Sequence, residues 1–329
     1  LGVKDAPSNI CFEVRPPSDL TESCIAAWLR LTAQPTFSSP FFTPGYTRLV
    51  ASCVEGVQVG IMRQGSNVVG IFPFELEAPR RARPVGSVFC DYQGAVVNPE
   101  IAWQAEALLD GVGLDEWRFD HVLANQPQWA HFHSVRDVSW SVDLSHGFEA
   151  YEGCLRQAGR APLRDVRRKV RMIEREVGPL SFSPHEKNHE LLDTMLEWKS
   201  AQWARSGWIG RFTSAWECQL MHRLLETNEP TFGGLFTVLR CAGRPIAMHL
   251  GMRSDRLWHY WTTVYDPEFA RYSPGLIMLA EMIRHAFWMG LRELDLGKEA
   301  FEYKKRFHTH TIPLSEGVAI RGGGEEAGQ

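Results

Sequence analysis

The stretch from Arg244 to Phe307 limits what this chain can fold into more than any other. Pro245 to Arg253 (PIAMHLGMR) and Arg256 to Tyr265 (RLWHYWTTVY) are apolar and aromatic enough to be adjacent strands. Asp266-Pro267 breaks the second. Arg271-Tyr-Ser-Pro-Gly-Leu276 then opens a helix predicted to run to about Met289. Gly290 ends it, and Leu291 to Leu296 (LRELDL) returns as a strand. A strand that feeds a glycine-containing turn and then a helix leaves backbone N–H groups free at the helix N-terminus, a ready anion site that suits a phosphate. The pattern points to a phosphate-bearing donor rather than a passive binding module.

At 329 residues the chain is long enough for two domains of ordinary size. A net charge of −4 gives no global pull toward DNA or an anionic membrane. No apolar run reaches the roughly 18 residues of a membrane span, and Glu281 and Arg284 mark the long C-terminal helix as a core helix. The N-terminal LGVKDAPSNI carries no signal pattern. The seven cysteines are scattered and form no Cys-x-x-Cys, which fits free thiols in a reducing cytoplasm and no metal site.

The sequence divides into an α/β first half, 1–145, a second half, 146–321, and a polar tail, 322–329. The first half reads as a strand (Ile10 to Val14), two helices, strands at Val57 to Gln64 and Val68 to Leu76 joined by Gly65-Ser66-Asn67, a helix, and a strand at Glu116 to Leu123. The second has a basic helix from Pro162 to Glu176, two further helices, a hairpin through Ala242-Gly243-Arg244, and the C-terminal pattern above. A strand from Ile312 to Ile320 closes it. Each half holds helices, a hairpin, a helix and more strands, so the two look like copies of one plan.

With these elements in place, the chain resembles the CelD-like acyltransferase family of the GNAT acyl-CoA N-acyltransferases, and its tandem layout is similar to the Fem-type aminoacyl transferases. The stretches that carry the likeness are SPFFTPGY (39–46), DYQG (91–94), RRKVRMIE (167–174), the region from Trp198 to Phe212, and DPEF, SPGL, DLG and YKKRF between Asp266 and Phe307. The resemblance implies two tandem GNAT-like domains with mixed, mostly antiparallel sheets and the acyl-donor site in the second. The strand from Arg256 to Tyr265 would splay from its neighbour to admit the donor's pantetheine arm along Thr263 and Val264. The turn of Arg271, Tyr272, Ser273, Pro274, Gly275 and Leu276 would hold the pyrophosphate. In this turn Gly275 sits one place later than the family pattern, and Leu276 stands where Gly or Ala is usual. The implied donor is acyl-CoA or an acyl-carrier-protein thioester, and the implied acceptor is an amine. A Fem-like transferase using charged tRNA and a catalytically inactive double-GNAT scaffold are the alternatives.

Amine acylation needs a base for the amine, a stabilised oxyanion and an acid for the leaving thiolate. Tyr303 is the candidate acid, since a phenol with an ordinary pKa of ~10 can protonate a thiolate. Asp295, at a strand end, is the candidate proton acceptor or ammonium anchor. His249 and His259, on neighbouring strands, are candidate bases. By alternation His259, Trp261 and Thr263 share a face. Lys304, Lys305 and Arg306 are candidate anion clamps, and each of these residues also has an ordinary packing or surface reading. The basic helix carries Arg164, Arg167, Arg168, Lys169, Arg171 and Arg175 against few acids and is either a phosphate-binding or a solvated face. Trp198, Trp203 and Phe212, and the aromatic segment from Phe37 to Tyr46, are candidate walls of an apolar groove. His185-Glu186-Lys187-Asn188-His189 matches the zinc-protease spacing but lacks the apolar helical setting that motif requires.

Overall fold

A computed structural model of the chain describes residues 10–205 and 214–322. Phe212, Trp208 and residues 323–329 of the tail lie outside the described residues. In chain order the elements are β1 (Ile10–Arg15), α1 (Glu22–Thr32), α2 (Pro44–Ala51), β2 (Val57–Gln64), β3 (Asn67–Ala78), β4 (Arg81–Arg83), β5 (Val96–Val97), α3 (Ala105–Gly111), β6 (Glu116–Leu123), β7 (His133–Asp143), α4 (Phe148–Gln157) and α5 (Pro162–Glu176). They continue with β8 (Leu180–Ser183), α6 (His189–Arg205), α7 (Ala215–Glu226), β9 (Asn228–Glu229), β10 (Phe232–Cys241), β11 (Arg244–Arg253), β12 (Leu257–Tyr265), α8 (Pro274–Trp288), β13 (Glu293–Asp295), α9 (Glu302–Phe307) and β14 (His310–Ile320).

Two compact units result, Leu1–Val138 with Ile312–Gln329, and Ser139–Thr311. The final strand thus groups with the first unit, whereas the sequence reading assigns it to the second half. The reason is long-range pairing: β14 runs antiparallel to β6, with Leu314 opposite Leu123 and Ile320 opposite Glu116.

The first unit is a mixed sheet in the order β1-β2-β3-β4-β6-β14, antiparallel except where β4 meets β6. The aromatic segment from Phe37 to Tyr46, expected to wall a groove, packs into this unit's own core. Phe37, Phe41, Phe42 and Tyr46 are all buried. The Trp28 indole donates to the Phe42 carbonyl at 2.7 Å, and the Tyr46 hydroxyl reaches the Val85 and Phe89 carbonyls at 3.1 Å. Each buried aromatic contributes about 2–3 kcal/mol, and the buried polar tips are satisfied.

The second unit has the sheet order β7-β13-β12-β11-β10-β8, antiparallel except for the β12–β13 pair. The β10–β11 hairpin turns through Ala242 and Gly243, both at positive φ (48° and 82°), as a two-residue hairpin turn requires. Helix α8 buries Ile277, Met278, Leu279, Ala280, Met282, Ile283 and Ala286. Such a broad apolar surface on one helix is that of an element buried in a core. Among the described residues no helix is long and apolar enough to cross a membrane.

Candidate active site

Strands β12 and β13 run in parallel for only three residue pairs, the last being His259 opposite Asp295. Beyond that point they part. The chain after Asp295 stays with β7, where the Leu296 amide donates to the Trp140 carbonyl at 2.7 Å and the Trp140 amide to the Gly297 carbonyl at 3.2 Å. The rest of β12 continues to Tyr265 beside β11. A gap therefore opens between residues 260–265 and the chain after Asp295.

A bulge marks the start of the gap. Leu250 pairs with Thr262 and Met252 with His259, so Tyr260 and Trp261 together face the single residue Gly251. The extra residue breaks the alternation expected along β12, and His259 and Trp261 do not follow a simple two-residue period. His249 fixes the bulge, because its Nε2 accepts the Trp261 amide at 3.1 Å and its ring stacks on Tyr260 at 4.6 Å. The ring is fully buried. Burial, followed by the neighbouring His259 and Lys199, holds it well below the usual histidine range, so it is neutral. His249 is thus a structural acceptor at the bulge. Gly251 has no room for a side chain, since a Cβ there would lie 2.4 Å from the His259 carbonyl oxygen and 2.5 Å from His249 Cε1. Gly251→Ala is expected to cost about 2–3 kcal/mol by overpacking, read as a lower midpoint in urea unfolding; an unchanged midpoint would mean the bulge is not rigid.

At the closed end of the gap the structure assembles four of the candidate residues. Asp295 is fully buried, and its Oδ1 accepts the Ser139 hydroxyl at 2.6 Å and the Gly297 amide at 2.7 Å. Its Oδ2 lies 3.8 Å from Nδ1 of the equally buried His259. Tyr303 stands on α9 with its ring edge-on to Tyr260 (centroids 6.5 Å apart) and stacked on Phe301 at 6.1 Å. Burial, then Tyr260 and Glu299, push its phenol far above the ordinary value, and burial pushes Tyr260 up to about 12. Both phenols hold their protons at neutral pH, and the upward shift makes Tyr303 a weaker proton donor than an ordinary phenol. Lys304 does not lie on a solvated basic face. It is buried, and its ammonium donates to the Lys298 carbonyl and lies 3.3 Å from Glu299. A Cβ on Gly297 would sit 3.7 Å from that ammonium and 3.9 Å from His259 Cε1, so the loop after Asp295 runs between the two. Lys305 pairs with Glu302 at 2.7 Å and Arg306 with Asp165, so neither forms an open clamp.

The other end of the gap is the turn before α8. Ser273 takes the N-cap position in left-handed geometry (φ 54°) and its hydroxyl makes no capping bond. Pro274 is the first helical residue. Gly275 is required neither by its φ nor by packing, because the nearest atom to a Cβ there is Tyr265 Cδ1 at 4.0 Å. A glycine that leaves empty space at a helix N-terminus allows a ligand to approach the backbone closely. The basic helix α5 lies against this turn, a juxtaposition the sequence does not show. Its Lys169 ammonium donates to the Arg271 carbonyl, and its Glu176 holds the Arg271 guanidinium at 2.8 Å and the Tyr272 hydroxyl at 3.1 Å.

The zinc-protease spacing dissolves in three dimensions. Residues 185–188 precede α6 rather than lying on a helix. His185 accepts the Phe236 amide and Glu186 pairs with Arg240 at 2.6 Å, while His189 contacts His222 and Glu226.

Residues 160–305, which include both ends of this gap, match the family model described as the acetyltransferase (GNAT) domain. Residues 160–305 thus carry a GNAT acetyltransferase domain, and the protein is a transferase. No curated protein matches it in sequence. Three solved structures share its fold. FemX is 11% identical, with 93% of this chain and 96% of that chain covered at a TM-score of 0.61. The C-terminal domain of a putative lysylphosphatidylglycerol synthetase from Agrobacterium fabrum is 15% identical, with 91% and 92% covered at 0.58. A tandem GNAT protein from the clavulanic acid biosynthesis pathway is 13% identical, with 95% and 99% covered at 0.51.

The site also contains residues that the sequence does not single out. Ser139 and Gly297 hold Asp295, and Tyr260 faces Tyr303. Lys199 of α6 donates to the Thr263 carbonyl at 2.8 Å, beside Trp203, whose ring centroid is 5.1 Å away. Gly297 was within reach of the sequence as the glycine of DLG, where a φ of +78° is needed for the turn. Ser139 was not, because it lies 156 positions from its partner.

Proposed function

We propose that this protein transfers an acyl group from an acyl-CoA, or the matching acyl-carrier-protein thioester, to an amine by direct attack, and that it belongs to the CelD-like group of GNAT enzymes. The observation that carries this reading is the alignment of three features along β12. The open turn at Gly275 lies beside Tyr265, the gap follows, and the buried His259–Asp295 pair closes it. Tyr265 and His259 are six strand positions apart, about 20 Å at ~3.3 Å per residue. That length is comparable with the reach of an extended pantetheine arm from its phosphates.

In this scheme the donor's pyrophosphate takes the α8 N-terminus, with Arg271 and Lys169 alongside. The thioester carbonyl lies near His259. The amine nitrogen bonds to the carbonyl carbon and gives up its proton to His259, which Asp295 orients. The carbon–sulfur bond then breaks, and Tyr303 protonates the departing thiolate. The product is an amide and free CoA. Tyr260, edge-on to Tyr303, gives this end of the gap aromatic surface.

A thermal-shift titration with CoA and acyl-CoAs from acetyl to palmitoyl tests the reading. At about 100 times Kd a ligand adds ~2.7 kcal/mol to the folded state, or about 2–4 °C in Tm per kcal/mol for a domain of this size. We expect a shift that peaks at one chain length. Absence of a shift with every CoA would overturn the CoA-donor reading.

A further inference from the structure

A cavity of about 280 Å³ lies in the second unit between α4 and the start of α5. Arg156, Arg160, Arg164 and Arg167 line it, opposed by Glu152 alone. Leu155 and Leu163 close its floor. Arg160 is fixed by its own bonds to the Lys305 and His308 carbonyls at 3.0 and 2.7 Å, and Arg167 is paired with Glu152 at 2.9 Å. The side chains of Arg156 and Arg164 have no hydrogen-bond or ion-pair partner among the described residues. The cavity also receives the N-terminus of α5, where Ala161 is the N-cap and makes no side-chain capping bond. The positive end of a fifteen-residue helix and four arginines thus line one open pocket.

We propose that this cavity binds the phosphoryl group of a small phosphorylated molecule, at a site separate from the donor turn. The separation follows from helix geometry. Lys169 and Glu176, seven residues apart, share the face of α5 that touches Arg271 and Tyr272. Lys169 lies about 140–160° around the axis from Arg164 and Arg167. The cavity and the donor turn are therefore on opposite sides of α5, and an anion in one does not occupy the other. The volume accommodates a diphosphate. The planar guanidinium forks favour phosphoryl oxygens over a monovalent anion. The proposal does not depend on the identity of the acyl donor.

Calorimetric titration of the full chain with inorganic pyrophosphate, with and without saturating CoA, tests it. Binding should persist in the presence of CoA. The double variant Arg156→Ala/Arg164→Ala should bind pyrophosphate roughly 100-fold more weakly, about tenfold for each charge-assisted bond lost. Both side chains are exposed and unbonded, so its Tm and its CoA-induced thermal shift should match those of the parent. Arg164→Glu should weaken pyrophosphate at least as much. Absence of pyrophosphate binding at millimolar concentration, binding abolished by CoA, or unchanged affinity in the variants would each overturn the assignment.

Discussion

Gly275→Glu abolishes acyl-CoA binding while leaving the fold intact; this is the largest separation of function from stability expected here. The substitution has room, since the nearest atom to a Cβ at this position is 4.0 Å away. It also places a carboxylate in the first turn of α8, where the helix dipole favours a negative charge by about 0.3–1 kcal/mol. The melting temperature of the free protein should therefore hold or rise slightly. The same carboxylate points into the space assigned to the donor's phosphates. Like-charge contact there costs several kcal/mol, which corresponds to a loss of at least about 100-fold in affinity. The measurement is the thermal shift with the preferred acyl-CoA. A shift equal to the parent's would place the phosphates elsewhere.

Asp295→Asn is expected to lower the transfer rate by roughly 10²- to 10⁴-fold, the range of a lost general-base arrangement, with little change in donor affinity. The asparagine carbonyl can still accept from Ser139 and Gly297, so the loop after β13 should keep its shape. The other oxygen becomes an NH₂ facing His259 Nδ1, where the native carboxylate oxygen stands 3.8 Å away. That reverses the polarity that orients the imidazole and removes the charge that would stabilise its protonated form. The separation is longer than a hydrogen bond, as catalytic contacts often are before substrate tightens them. Release of CoA thiol in the presence of a panel of primary amines, followed against pH, gives the readout. A parental rate in Asp295→Asn would remove Asp295 and His259 from the chemistry and leave Tyr303 to be tested alone by Tyr303→Phe.

Much of the path in both units can be read from local pattern. The Pro162–Glu176 helix, the Val57–Gln64 and Glu116–Leu123 strands, and the glycine stop at Gly290 (φ 81°) match the structure closely. Each depends on periodicity or on a residue's own backbone preference, which are properties of the immediate neighbourhood. The short helix α9 was read only as a Tyr-Lys-Lys-Arg segment, because its six residues show too little of a helical period. Lys304 illustrates the limit for side chains. In sequence it belongs to a basic run, but in the fold it turns inward to bind the 298–299 loop. His249 and His259 look equivalent in sequence, one on each of two neighbouring strands. The bulge opposite Gly251 separates their roles, assigning one to a backbone amide and the other to Asp295.

Local pattern specifies the order of elements in the C-terminal third, the glycine turn before a core helix, and a set of candidate residues that includes Asp295, His259 and Tyr303. These follow from short-range rules, since helix and strand periods, turn residues and caps are encoded within a few positions. Only the folded chain shows that β12 parts from β13 after three residue pairs, the last being His259 and Asp295. It also shows that Ser139 holds Asp295 across 156 positions, that α5 lies against the donor turn, and that the last strand joins the first unit. Those outcomes depend on which distant backbone and side-chain partners meet once the core closes, and nothing in the local pattern of a single chain specifies such long-range pairing.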